Sequence, residues 1–77
     1  MQSDAIKLCL SRRFAMLEGR NQQAAMIATA RIIREETKDR ETYAALGEFI
    51  TATPRDRQII VDVAEQNLLD EWESDNA

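Results

Sequence analysis

Cys9 is the only thiol in a chain of 77 residues that contains no histidine. Without histidine, the commonest general base, proton shuttle and metal ligand is missing. A catalytic thiolate at Cys9 needs a base or a cationic neighbour to lower its pKa. Arg12 and Arg13 are near in sequence, but Leu8 and Leu10 flank the cysteine. The favoured reading is therefore a small buried hydrophobe. A lone cysteine can form neither an intramolecular disulfide nor a cysteine zinc cluster. Glu35-Glu36 and Asp70-Glu71 are adjacent carboxylates, but neighbours on a helix point about 100° apart. They read as solvated surface, not as an acid/base pair. Glycine-rich phosphate loops, zinc spacings, a calcium-loop register and a serine with a paired base are all absent. The expectation is a non-enzymatic protein with no cofactor and no metal.

The charges are more informative than the nucleophiles. The net charge is −4, from 10 basic and 14 acidic side chains. Residues 1–34 hold six basic side chains against two acidic ones, a net +4, whereas residues 35–77 hold four against twelve, a net −8. No basic residue follows Arg57, while Asp62, Glu65, Asp70, Glu71, Glu73 and Asp75 accumulate. Three readings follow. The basic and acidic helices can lie side by side and neutralise each other, which contributes roughly 0–1 kcal/mol per surface pair but sets orientation. The acidic last helix can dock a basic protein, through Asp62, Glu65 and Glu71, because complementary charge selects partners and speeds encounter. The basic half can bind nucleic acid through Arg12, Arg13, Arg31 and Arg34, since phosphate binding needs clustered cations on one face. The negative total weighs against the third reading.

These residues must be carried on helices. Two glycines and one proline leave little material for hairpins, and the β-branched runs Ile32-Ile33 and Ile59-Ile60-Val61 lie inside helical patterns. The punctuation predicts an all-α fold of three to four helices over about 4–18, 22–38, 40–52 and 54–73, as one domain spanning 1–77 with frayed ends at about 1–2 and 74–77. Ser3 is a candidate N-cap with Asp4 in the first turn, Gly19 a candidate C-cap, and Asn21 the cap of the second helix. Asp39 is a candidate cap for a third helix. No glycine or proline enforces a break there, so one long helix over 22–52 is the alternative. Thr53-Pro54-Arg55-Asp56 is the strongest start signal: a capping threonine, proline at the first helical position and an acid where a capping box places one. Gln22-Gln23-Ala24-Ala25 faintly suggests a helix-turn-helix opening, but no turn glycine follows.

The helical faces predict the core. Ile6, Leu10, Phe14 and Leu17 recur at spacings of four, four and three and form the expected inward stripe of the first helix, with Leu8 and Ala15 on another side. In the second helix Ala25, Met26, Thr29, Ile32 and Ile33 share a face, and Ile27, Arg31 and Arg34 point away. Tyr43, Leu46, Phe49 and Ile50 mark the third. Ile60, Val61, Ala64, Leu68 and Trp72 mark the fourth, with Ile59 and Val63 nearly opposite.

Helices apolar on nearly all sides are either central or covered by another chain, and a chain this short has little centre. The expectation is a homodimer with two-fold symmetry. Leu8, Ile59, Val63 and Trp72 are candidate apolar contacts for that dimer or for a partner protein, Trp72 being alternatively a core residue that seals one end. The longest apolar run is five residues, 24–28, far short of the roughly 20 that span a bilayer, and the first ten residues are too mixed for a signal peptide. A cytoplasmic regulator or inhibitor that binds a larger basic protein is the preferred function, of the kind phages and plasmids encode; a small nucleic-acid-binding transcriptional regulator is the alternative.

Overall fold

The computed structural model describes residues 2–76, and the chain is all-helical with four helices. They are α1 (Gln2–Leu17), α2 (Gln22–Glu36), α3 (Arg40–Thr51) and α4 (Pro54–Asn76). Each break has a local cause. After α1, Gly19 takes the left-handed conformation with φ +69°. The amide of Arg20 then donates to the Ala15 carbonyl (2.7 Å) and that of Gly19 to the Met16 carbonyl (3.3 Å). That pattern satisfies the end of a helix and favours glycine at the left-handed position. Asn21 caps α2 by accepting from the Ala24 amide at 3.1 Å.

The question of one long helix or two is settled between residues 36 and 40. Thr37 is extended, and its hydroxyl accepts from the Asp39 amide (3.2 Å). Asp39 in turn accepts from the amide and hydroxyl of Thr42, at 3.1 and 2.6 Å. Two short polar side chains give the backbone an alternative to helix, and they end α2 without glycine or proline. Thr53 caps α4 by accepting from the Asp56 amide at 3.2 Å. At the N-terminal end, α1 starts at Gln2, so Ser3 is a helical residue and not the cap. At the other end α4 runs to Asn76, so residues 74–76, expected to fray, are helical. Met1 and Ala77, also expected to fray, lie outside the described residues.

The molecule measures 37 × 33 × 20 Å. The shortest dimension is about two helix diameters, so every helix keeps one side on solvent. α1 packs along both α2 and α4, α3 folds back on α2, and α3 meets α4 over a short stretch. The core is Leu8, Cys9, Met26, Ala30, Ile33, Leu46, Phe49 and Val61, with Ile50, Ala64 and Leu68 packed against it.

That core corrects the expected orientation of α1. Ile6, Leu10, Phe14 and Leu17 face outward, with Phe14 57% and Leu17 77% exposed, while Leu8, Cys9, Arg12 and Ala15 are buried. Leu8 was expected at a partner contact and lies instead in the chain's own core. The physical reason is Arg12, which stands about 160° around the helix from the Ile6–Phe14 stripe. Burying that stripe would send Arg12 into solvent, away from the carboxylates of α4. The small side chains Cys9, Ala15 and Ala30 also permit closer helix approach than a row of leucine and phenylalanine.

Smaller corrections follow the same logic. Ile32 is exposed because Met26, Ala30 and Ile33 define the inward side of α2. Ile60 and Trp72 are exposed as well, whereas Arg57, one turn before Val61, takes an inward position on α4. Tyr43 is half exposed and covers Arg34 instead of entering the core.

Candidate functional site

The basic and acidic helices meet inside the chain. Arg12 donates from Nη1 to Asp62 Oδ1 at 2.6 Å and from Nη2 to Glu65 Oε2 at 3.0 Å. Arg13 donates to the other Glu65 oxygen at 2.6 Å. The two arginines differ in setting: the Arg12 side chain is 10% exposed and that of Arg13 is 58%. Burial of Arg12 disfavours its charge, but the hydrogen bonds from Asp62 and Glu65 outweigh it and raise the guanidinium pKa further. Glu65 is held below the usual carboxylate range by hydrogen bonds from Arg13 and then Arg12. This fork ties α1 to α4 and is the first reading of the charge asymmetry realised within one chain.

The fork also bears on the other two readings. Asp62 and Glu65, two of the three carboxylates expected to meet a basic partner, are already matched by cations of the same chain. The third, Glu71, lies exposed on α4, two turns beyond Ala64. Of the four arginines expected to contact nucleic acid, Arg12 is buried and Arg13 is paired. Arg34 lies on the Tyr43 ring, with its Cζ 3.9 Å from the centroid, and donates from Nε to the Tyr43 carbonyl at 3.2 Å. Gly47 makes room for that guanidinium: a Cβ there would come within 3.0 Å of Arg34 Nη2. Arg31 alone of the four forms no ion pair or ring contact among the described residues. The four do not form one free cationic patch.

Cys9 is buried, and its thiol faces the Val61 carbonyl at 4.0 Å. Desolvation, followed by the charge of Glu65, raises its pKa above the ordinary thiol value. A raised pKa is the opposite of what a nucleophilic cysteine needs. Among the described residues no group of three or more His, Cys, Asp or Glu could hold a metal ion, and no helix is long and apolar enough to cross a membrane.

A polar clasp missed in the sequence sits at the turn between α3 and α4. Arg57 is buried, and its Nη1 donates to the carbonyls of Ile50 (3.1 Å) and Ala52, while Nε donates to Gln23 Oε1 at 2.8 Å. Gln23 in turn donates to the Pro54 carbonyl at 3.0 Å. The charge of Arg57 sits against the carbonyl end of α3, where a helix dipole favours a cation. The only sequence signal was a charged residue one turn before Val61 on the apolar side of α4.

What remains exposed is an apolar face centred on α1, bordered by the charged side chains of Lys7, Arg13, Glu36 and Glu65. One shallow groove of about 380 Å³ runs between α1 and α2 and includes Leu10, Phe14 and Ile32. A second of about 380 Å³ runs between α1 and α4 and includes Ile6, Leu10, Leu69 and Trp72. Leu10 belongs to both, so the outward stripe of α1 is flanked by apolar side chains of both neighbours. Trp72, 64% exposed, stands at the edge of this face and does not seal the core. Ile59 and Val63 are also exposed, on α4.

Comparison with models of protein families, with curated proteins and with solved structures finds no match to this chain.

Proposed function

We propose that this chain is a non-enzymatic regulatory or inhibitory protein that works by binding other proteins, and that it does so as a two-fold symmetric dimer joined through the outward face of α1. The observation that carries the reading is the exposure of Ile6, Leu10, Phe14 and Leu17, flanked by Ile32, Leu69 and Trp72. From their fractional exposures these side chains present roughly 800 Å² per chain, the share one partner contributes to a standard protein interface. Isolated exposed apolar residues are ordinary, but a contiguous apolar patch of this size on a small protein marks an interaction surface. A face of this kind can meet its own copy about a two-fold axis.

The intramolecular fork shifts the weight of the reading from charge to this apolar face. Asp62 and Glu65 orient α1 against α4, and a basic partner is met by other carboxylates. The buried single thiol is compatible with a reducing, cytoplasmic setting.

Sedimentation of the wild-type chain and of the double variant Leu10→Glu/Phe14→Glu tests the proposal. Both positions are solvent-exposed, so the variant keeps its helical signal by circular dichroism. The wild type is expected to sediment as a dimer at micromolar concentration and the variant as a monomer. A wild-type chain that stays monomeric at every concentration overturns the dimer.

A further inference from the structure

On the opposite side of α1 from this face, a third groove opens where α3 diverges from α4. Its volume is about 360 Å³. A site of about 150 Å³ takes up one benzene-sized group, so this groove has room for at least two bulky aliphatic side chains. Its floor is Leu8, Leu46 and Val61, all buried core residues. Its walls carry the short side chains of Ala5, Ala45 and Ala64, one from each of α1, α3 and α4. Asp4 and Glu41 also line it, on α1 and α3, and no basic residue does. Neither carboxylate takes part in an ion pair among the described residues. Glu48 continues the Glu41 edge of α3, seven residues and two helical turns on.

We infer that this groove receives an amphipathic helix of a partner protein, with two or three aliphatic side chains at i, i+3/i+4 and i+7 and Lys or Arg on both flanks. Ile60 of α4, half exposed, adds a bulky apolar rim beside Ala64, and an apolar floor between helices is the geometry of helix-in-groove recognition. The acidic edges on two different helices select basic flanking residues and exclude acidic ones. The inference rests on the reading of the chain as a protein-binding module, and it names the surface that meets a basic partner once Asp62 and Glu65 are taken by Arg12 and Arg13. The groove does not use the outward face, so dimerisation through α1 leaves it open.

The test uses the full chain, labelled with ¹⁵N, and a synthetic amidated peptide of about four helical turns. The peptide carries leucines at i, i+4 and i+7 and lysines on both flanks; a control peptide has glutamate at every lysine position. Titration is expected to shift the amide signals of Ala5, Ala45 and Ala64 and to leave those of Phe14, Leu17 and Ile32 unmoved. The glutamate peptide is expected to bind at least about tenfold more weakly, a difference of about 1.4 kcal/mol. Asp4→Lys/Glu41→Lys is expected to weaken the lysine peptide by a similar factor. If that variant fails to fold, Asp4→Asn/Glu41→Gln is expected to weaken it about threefold, with the loss growing less marked at high salt.

No binding, shifts confined to the Phe14–Ile32 side, or equal affinity of wild type and charge variants would each overturn the groove. Sedimentation without peptide reports separately on the α1 face. A dimer that ignores the lysine peptide therefore removes the groove and leaves the dimer standing, and a monomer that binds it through Ala45 does the reverse.

Discussion

Replacing Arg12 by alanine should cost far more than replacing its neighbour Arg13, although both reach the same carboxylate. Arg12 donates to Asp62 and to Glu65 from a side chain that is 10% exposed. The Asp62 side chain is 57% exposed, so its pair counts as a surface bridge of about 0–1 kcal/mol. Glu65 is 22% exposed, so its bond counts as a charge-assisted bond of about 1.5–3 kcal/mol. Loss of the packed aliphatic stem adds roughly 1 kcal/mol. Glu65 keeps Arg13, which holds the total near 3 kcal/mol rather than the 3–5 kcal/mol range of a fully broken buried pair. In a domain of this size about 3 kcal/mol lowers Tm by roughly 12–24 °C.

Arg13→Ala breaks a bond from a side chain that is 58% exposed, and should cost about 0.2–1 kcal/mol. Urea unfolding followed by circular dichroism measures both. Chain concentration must be held equal, because a dimer's apparent stability depends on it. The double variant Arg12→Ala/Glu65→Ala should cost less than the two single losses together. If Arg12→Ala unfolds within about 0.5 kcal/mol of Arg13→Ala, the fork does not hold α1 to α4 and the account of α1's rotation fails with it.

Two further predictions concern polar groups on the same scaffold. Arg57→Ala removes the donor to Ile50, Ala52 and Gln23 and should cost about 2–3 kcal/mol, read as a lower urea midpoint. Arg57→Lys should recover little of it, because a single ammonium cannot reproduce the fork that reaches both carbonyls and the amide. Stability should also fall on acidification. Glu65 is depressed by Arg13 and Arg12, and Asp39 by its hydrogen bonds from Thr42. Both stabilise the fold fully above their unfolded values, near pH 4–4.5, and lose that contribution as pH falls through their lower folded values. Glu65→Gln should flatten the acid limb of Tm against pH; an unchanged acid limb would show that the fork does not titrate with folding.

Much of the local structure was legible because its causes are local. Asn21, Asp39 and Thr53 act as caps within three residues of themselves, and Gly19 adopts the one backbone conformation that its lack of a side chain makes cheap. These residues mark the breaks between the four helices, and the observed boundaries lie within three residues of the expected ones, the largest difference being at the end of α4. Of the three readings of the charge split, the one that sets basic and acidic helices side by side is the one α1 and α4 realise. Even the break between α2 and α3 was readable at Asp39, although the part played by Thr37 was not.

The rotation of each helix about its own axis was decided only in three dimensions. α1 has two apolar sides, and spacing alone favours the larger, Ile6–Leu10–Phe14–Leu17. The fold buries the smaller side instead, because only that rotation brings Arg12 to Asp62 and Glu65 and sets Cys9 and Ala15 against the neighbouring helices. Those partners lie 50 and 53 residues away in the chain. The same holds for Arg57, which the sequence analysis assigned no role and which is buried because the carbonyl end of α3 faces it. Sequence by itself determined which segments are helical, where they end, and that their apolar surface exceeds what one small core can use. Tertiary structure decided which of those apolar sides stays outside, because a helix turns to satisfy its most expensive buried group, and here that group is an arginine.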